Sequence, residues 1–174
     1  MIRAETRLQR YNKKLINAKV YPVSICAINF TFDENIGYII RAAACFGAEK
    51  IHLIGRIPSR SAVKATSGSL YDFVSIESHS SPRAFLQRMR EEKVQLISAE
   101  LTDQSNSIEN YKFSFEKRLC IVVGNESYGI PEEILHNSEK VYIPMPGIGF
   151  CLNTAQAANI MLYETVKQYE RLSK

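Results

Sequence analysis

The chain has 174 residues, 45% of them hydrophobic and 23% charged, a size and balance that allow one domain with a proper core and exclude wholesale disorder. No apolar run approaches the roughly 18 residues of a membrane span, and the opening MIRAETRLQRYNKK lacks the apolar stretch of a secretory signal. The net charge of +4 is uneven, with +5 on residues 1–20 and −1 on the rest, which suits either a polyanionic partner or a solvated helix.

A helix is predicted over residues 3–17. Arg3, Arg7, Arg10 and Lys14 recur at i, i+4, i+7 and i+11 and form one basic stripe, while Ala4, Leu8, Tyr11 and Leu15 form an apolar stripe about 100° away. The apolar stripe is expected to dock and the basic one to face solvent or RNA. Short, apolar, β-branched runs predict strands over 22–30, 50–55, 72–77, 94–101, 119–125 and 140–144. Helices are predicted over 35–46, 82–92 and 152–170, with a short helical turn opening at Pro131. Residues 56–69, RIPSRSAVKATSGS, read as a basic Ser/Gly-rich loop that either contacts RNA through Arg60 and Lys64 or is simply a flexible surface loop. The alternation of strands and helices predicts an α/β fold, a mostly parallel sheet with helices on both faces. It is read as a single domain over 1–174, of which 1–19 is a basic N-terminal helix.

Cys26, Cys45, Cys120 and Cys151 form no C-x-x-C pair, and His52, His79 and His136 are scattered, so no metal site is expected. Thiols such as Cys120, inside the apolar LCIVVG, are expected to be buried and reduced, which favours the cytoplasm.

Ligands of open α/β sheets bind beyond the carboxyl ends of strands. Three such segments hold unusual combinations. In residues 35–55, Asn35 can cap a helix, Gly37 permits close approach of backbone or ligand, and Arg41 stands in an otherwise apolar helix. That arginine is either functional or a snorkelling or internally paired one. In residues 122–134 an apolar strand runs into Gly124, Asn125, Glu126 and Gly129, a turn whose backbone can hold a polar ligand or simply precede the helix from Pro131. In residues 141–164, Gly147 and Gly149 lie between strand and helix, but Leu152 replaces the third glycine of a dinucleotide fingerprint, and Asn153 opens a long helix, where capping is the plain explanation.

Together and in this order, Asn35-Gly37-Arg41, Gly124-Glu126-Gly129, and Ile143-Pro144-Met145, Gly147 and Leu152-Asn153 resemble the three motifs of the SpoU/TrmH family of the SPOUT superfamily. The resemblance covers roughly residues 20–170. It departs from the family at Cys151, where a serine is usual, and the chain shows no additional RNA-binding domain at either end. The resemblance implies a sheet with a C-terminal trefoil knot, and an S-adenosylmethionine-dependent methyltransferase acting on a ribose 2′-hydroxyl of tRNA or rRNA. It implies that the cofactor is held largely by backbone around Leu101, Gly124, Ile143, Met145 and Leu152. It further implies that Arg41 is the catalytic arginine, with Asn35, Glu126 and Asn153 as the family's other polar positions. Arginine is effectively always protonated, so a two-pronged clamp on a phosphate suits Arg41 better than a general base does, and the proton acceptor stays unassigned. A homodimer is expected, because the family pairs through this region and the helix over 152–170 carries Ala155, Ala158, Ile160, Met161, Leu162 and Val166, more apolar surface than one sheet face needs. The alternative function is a non-catalytic RNA-binding relative with the same fold.

Overall fold

The computed structural model describes residues 5–173. Along the chain run α1 (Arg7–Leu15), β1 (Tyr21–Ile28), α2 (Asp33–Phe46), β2 (Ala48–Ile54), α3 (Arg60–Ser67), a 3-10 turn (Tyr71–Phe73), β3 (Ser75–His79), α4 (Pro82–Glu91), β4 (Gln95–Ala99), β5 (Asn106–Ser107), β6 (Leu119–Val123), α5 (Glu132–Leu135), β7 (Glu139–Tyr142) and α6 (Thr154–Leu172). The strands form one sheet in the order β3-β2-β1-β6-β4-β7-β5, and every pairing in it is parallel.

Strand periodicity places one core on each face of the sheet. Ile25 and Ala27 of β1, with Leu119, Ile121 and Val123 of β6, pack against Ile39 and Ala43 of α2 and Ala158 and Met161 of α6. Their neighbours Cys26, Ile28, Cys120 and Val122 face Phe85 and Met89 of α4 and Ile134 of α5. Because both faces are covered, β1 and β6 are apolar runs without alternation.

Several elements differ from the sequence expectation for physical reasons. Residues 60–67 are not a loop but α3: Ser59 accepts from the Ala62 N–H as its cap, Val63 is fully buried, and Gly68 ends the helix at φ 62°. The Ser and Gly that suggested a loop are its caps. A Cβ on Gly37 would lie 1.8 Å from Thr66 Oγ1, so that glycine serves the packing of α2 on α3 and not the approach of a ligand. Helix α2 begins at Asp33, two residues before the expected start, with Asp33 and Glu34 in its positive first turn. Phe32 is the capping residue and Asn35 is already inside the helix, so its side chain does not cap. Strand β3 lies at Ser75–His79 and not at 72–77, because Tyr71–Phe73 closes into the 3-10 turn. The two-residue β5 had no readable pattern.

Helix α1 starts at a capping box made by Thr6 and Gln9. Its apolar stripe does not dock as expected. Leu8 and Leu15 are 60% and 56% exposed, and only Tyr11 is partly covered, with its ring edge on Phe73 at 5.7 Å. Arg3 and Ala4 lie outside the described residues. In α6, Ala155, Ala158, Met161, Leu162 and Val166 are buried within the chain, and of the apolar set expected to pair with a second copy only Ile160 is exposed. Among the described residues no helix is long and apolar enough to cross a membrane.

Candidate functional site

The segments that follow β4, β6 and β7 border one open cleft of about 540 Å³, within the range of small-molecule sites. Leu101 comes from the first, Gly124 and Glu126 from the second, and Ile143, Met145, Leu152 and Asn153 from the third; Asn35 joins them from α2. All five positions expected to hold a cofactor therefore line this cleft, as do three of the four expected catalytic positions.

The turn after β6 is tight. Asn125 and Gly129 exchange backbone hydrogen bonds of 3.0 and 3.1 Å, and a Cβ on Gly124 would fall 2.3 Å from the carbonyl carbon of Gly129. Thr154 Oγ1 donates to the Gly124 carbonyl at 2.9 Å, which ties the start of α6 to this turn. Asn125 Nδ2 donates to the Asn29 carbonyl at 2.6 Å and ties the turn to the end of β1.

A chain of three side chains joins the motifs. Asn153 Oδ1 caps α6 by accepting from the Ala155 and Gln156 N–H groups, and its Nδ2 donates to Asn35 Oδ1 at 3.0 Å. Asn35 Nδ2 in turn donates to Glu126 Oε1 at 2.7 Å. Glu126 also accepts from the Thr31 N–H at 2.9 Å and the Phe32 N–H at 3.4 Å. Burial opposes ionisation of Glu126, but the donors outweigh it, Thr31 first and Asn35 next, and hold its carboxyl below the ordinary range. Glu126 is thus an anionic clasp and a poor proton acceptor at neutral pH.

Arg41 is not part of this cleft. It lies six residues past Asn35 on the exposed stripe Glu34, Tyr38, Arg41 and Cys45 of α2, and its Nη2 donates to the Ala65 carbonyl at 3.3 Å. It is exposed and makes no ion pair among the described residues, so it is not the internally paired arginine, and its exposed head fits a snorkelling arginine as well as a functional one. Arg7, Arg10 and Lys14 are exposed on α1. Arg60 and Lys64 line a second groove on α3, where Arg60 pairs with Asp72.

Among the lining residues that carried no motif signal are Glu100, Ser127, Phe150 and Thr154. The position of Glu100 near the carboxyl end of a predicted strand was the available clue.

The histidines are not all scattered. His52 Nδ1 and His79 Nε2 meet at 2.9 Å on adjacent strands, and with Glu77 they place three potential ligand atoms within 4.8 Å of one another. This group is internally satisfied, since Glu77 pairs with Lys50 at 2.5 Å and with Arg88 at 3.2 Å. It lies at the β2–β3 edge, away from the cleft.

The lining suits S-adenosylmethionine, the cofactor implied by the motifs. Leu101 and Phe150 are 64% and 87% exposed at the cleft, apolar surface of the kind an adenine ring covers. Around them are backbone groups, Ser127 and Glu100, as hydroxyls and an amino-acid moiety require.

Residues 22–163 match the model of the SpoU rRNA Methylase family. The tRNA (guanosine(18)-2′-O)-methyltransferase of Escherichia coli is 25% identical over 150 residues, covering 84% of this chain and 63% of that protein. The tRNA (cytidine(34)-2′-O)-methyltransferase of Ancylobacter novellus is 29% identical over 139 residues, covering 78% of this chain and 85% of that protein. The AdoMet-bound rRNA methyltransferase from Sinorhizobium meliloti superposes with a TM-score of 0.76 at 27% identity, over 86% of this chain and 57% of that one. The chain thus spans less than two thirds of the length of the E. coli and S. meliloti proteins.

Proposed function

Because the chain belongs to the SpoU rRNA Methylase family, we propose that it transfers a methyl group from S-adenosylmethionine to a ribose 2′-hydroxyl of tRNA or rRNA. The observation that carries this reading is the Asn153–Asn35–Glu126 chain, which binds all three motif segments to one cleft. The cofactor, when bound, supplies an electrophilic methyl on a sulfonium. The protein's task is then to bring a 2′-hydroxyl into line with that methyl and to exclude competing geometries. Leu101, Gly124, Ile143, Met145 and Leu152 hold the cofactor side of the cleft. Asn35, Glu126 and Asn153 fix the motif loops and present polar atoms to the ribose, and Arg41 clamps the neighbouring phosphate. No step in this reading needs a metal.

The test is a calorimetric titration followed by a transfer assay. S-adenosylmethionine and its demethylated product are expected to bind, and NAD is not. Mapping 2′-O-methyl positions in RNA from cells with and without the protein then identifies the nucleotide. Tight NAD binding without S-adenosylmethionine binding would overturn the reading. Cofactor and RNA binding without any transfer would identify a non-catalytic relative instead.

The position of β7 between β4 and β5, both earlier in the chain, supports a C-terminal segment threaded as a knot. A homodimer is supported by the exposed Tyr38, Ile160 and Tyr163 on the outer faces of α2 and α6. Pairing there also accounts for Arg41, which stands on the same exposed stripe of α2 and outside its own chain's cleft. Light scattering at micromolar concentration is expected to give twice the 19.8 kDa chain mass, and a monomer would contradict this. The four free thiols agree with a cytoplasmic protein.

RNA affinity is assigned to Arg3, Arg7, Arg10 and Lys14, with Arg60 and Lys64 as a second group. Deleting residues 1–19 is expected to weaken RNA binding and to reduce the log–log salt slope by about one unit per lost phosphate contact, while cofactor binding persists. An unchanged slope would show that the stripe only faces solvent.

A further inference from the structure

Among the described residues, helix α1 is anchored through Tyr11. Tyr11 sets its ring edge on Phe73 and donates its hydroxyl to the Gly68 carbonyl at 3.0 Å. Gly68 and Ser69, at φ 62° and 68°, are two consecutive left-handed residues that reverse the chain after α3. Gly68 also lies flat against the Arg41 guanidinium: an added Cβ would be 2.6 Å from Nη2 and 2.9 Å from Nε. The same guanidinium donates to the Ala65 carbonyl, one turn earlier in α3. Arg41 is therefore cradled by the last turn of α3, without a carboxylate partner among the described residues, and Tyr11 holds that turn through the Gly68 carbonyl.

We propose that Tyr11 is a positioning residue: its hydrogen bond to the Gly68 carbonyl docks α1 on the end of α3 and fixes the direction in which Arg41 presents its guanidinium. The inference rests on the reading of Arg41 as the phosphate clamp of the transfer reaction. Its consequence is that α1 does two things at once. The helix that carries Arg7, Arg10 and Lys14 toward phosphates also sets the arginine that acts next to the reacting ribose. RNA that seats α1 firmly thereby orders the clamp.

Tyr11→Phe tests this, because it keeps the ring on Phe73 and removes only the hydroxyl. The first readout needs neither RNA nor cofactor: the side-chain Nε–H resonance of Arg41, assigned by its absence in Arg41→Lys. In Tyr11→Phe it is expected to shift and to exchange with water faster, while the resonance of Arg118, which pairs with Glu49, stays in place. The second readout is steady-state transfer at saturating cofactor to bulk RNA from cells that lack the protein. Here kcat is expected to fall about five- to tenfold with KM for RNA within about twofold, and Tyr11→Phe is expected to add no further loss in the Arg41→Lys background. An unmoved Arg41 resonance with unchanged kcat would overturn the proposal, as would fully additive losses in the double variant. Full activity of both Arg41→Lys and Arg41→Ala would overturn the clamp reading instead. The resonance would then still decide whether Tyr11 orients the side chain.

Discussion

Arg41→Ala is expected to lower methyl transfer by a factor of about 100 or more while leaving S-adenosylmethionine affinity within about twofold. Arg41 stands outside the cleft that would hold the cofactor, so its loss does not touch that binding. The side chain is exposed and gives up only a 3.3 Å bond to the Ala65 carbonyl, so stability should change by no more than about 0.5 kcal/mol. Arg41→Lys should also be poor, because a point charge does not reproduce a planar two-pronged contact. Turnover, cofactor titration and thermal melting on the same samples separate these effects. A folded, cofactor-binding Arg41→Ala with near wild-type turnover would refute the clamp.

The second large effect is expected from acid. Burial, and then the neighbouring His79, lower the pKa of His52 from 6.5 to about 4, and burial lowers that of His79 as well. The charged groups facing the pair are Glu77 and, at His79, Glu92, which favour protonation, and Lys50 and Arg88, which oppose it. A histidine whose folded pKa is depressed contributes stability that is complete above its unfolded pKa. That stability is lost as pH falls below it, because the unfolded chain then binds the extra proton. The loss should begin near pH 6.5 and reach roughly 3 kcal/mol for His52 by pH 4. The window from 6.5 to 5 is the diagnostic one, since Glu77, Glu126 and Glu164 have lowered pKa values and act only below it. Melting temperature against pH is expected to be steep there for the wild type and shallower for His52→Gln. Equal slopes would show that the pair is not the sensor.

The parts of this molecule legible in the sequence are those that need only local chemistry. Apolar runs bounded by glycine marked the central strands, two of the three short motifs marked loops that line the cleft, and the other marked Asn35 on α2. What joins them was hidden, because Asn35 finds Glu126 91 residues away and Asn153 118 residues away. No periodicity reports a contact at that separation. Helix α3 was missed because its caps are the same Ser and Gly that mark loops. The histidine pair was missed because it depends on the register of β2 against β3, which sets His52 opposite Glu77 and Ile54 opposite His79. The docking of α1 was misjudged because spacing alone cannot tell a buried stripe from an exposed one, and here only Tyr11 found a surface.

The strand order also dictates when the cleft can form during synthesis of the chain. Strand β5 pairs only with β7, β4 has β7 on its outer side, and the central β1 waits for β6. A growing chain that has released β1 through β5 therefore holds strands without their neighbours, and Asn35 without either partner. Sheet closure, completion of the cleft and capping of α6 by Asn153 all await the C-terminal segment. Such late, long-range pairing makes folding slow and exposes unpaired strands meanwhile. Cofactor-binding capacity should consequently emerge in one step, after α6 has left the ribosome, with no partly competent form before it.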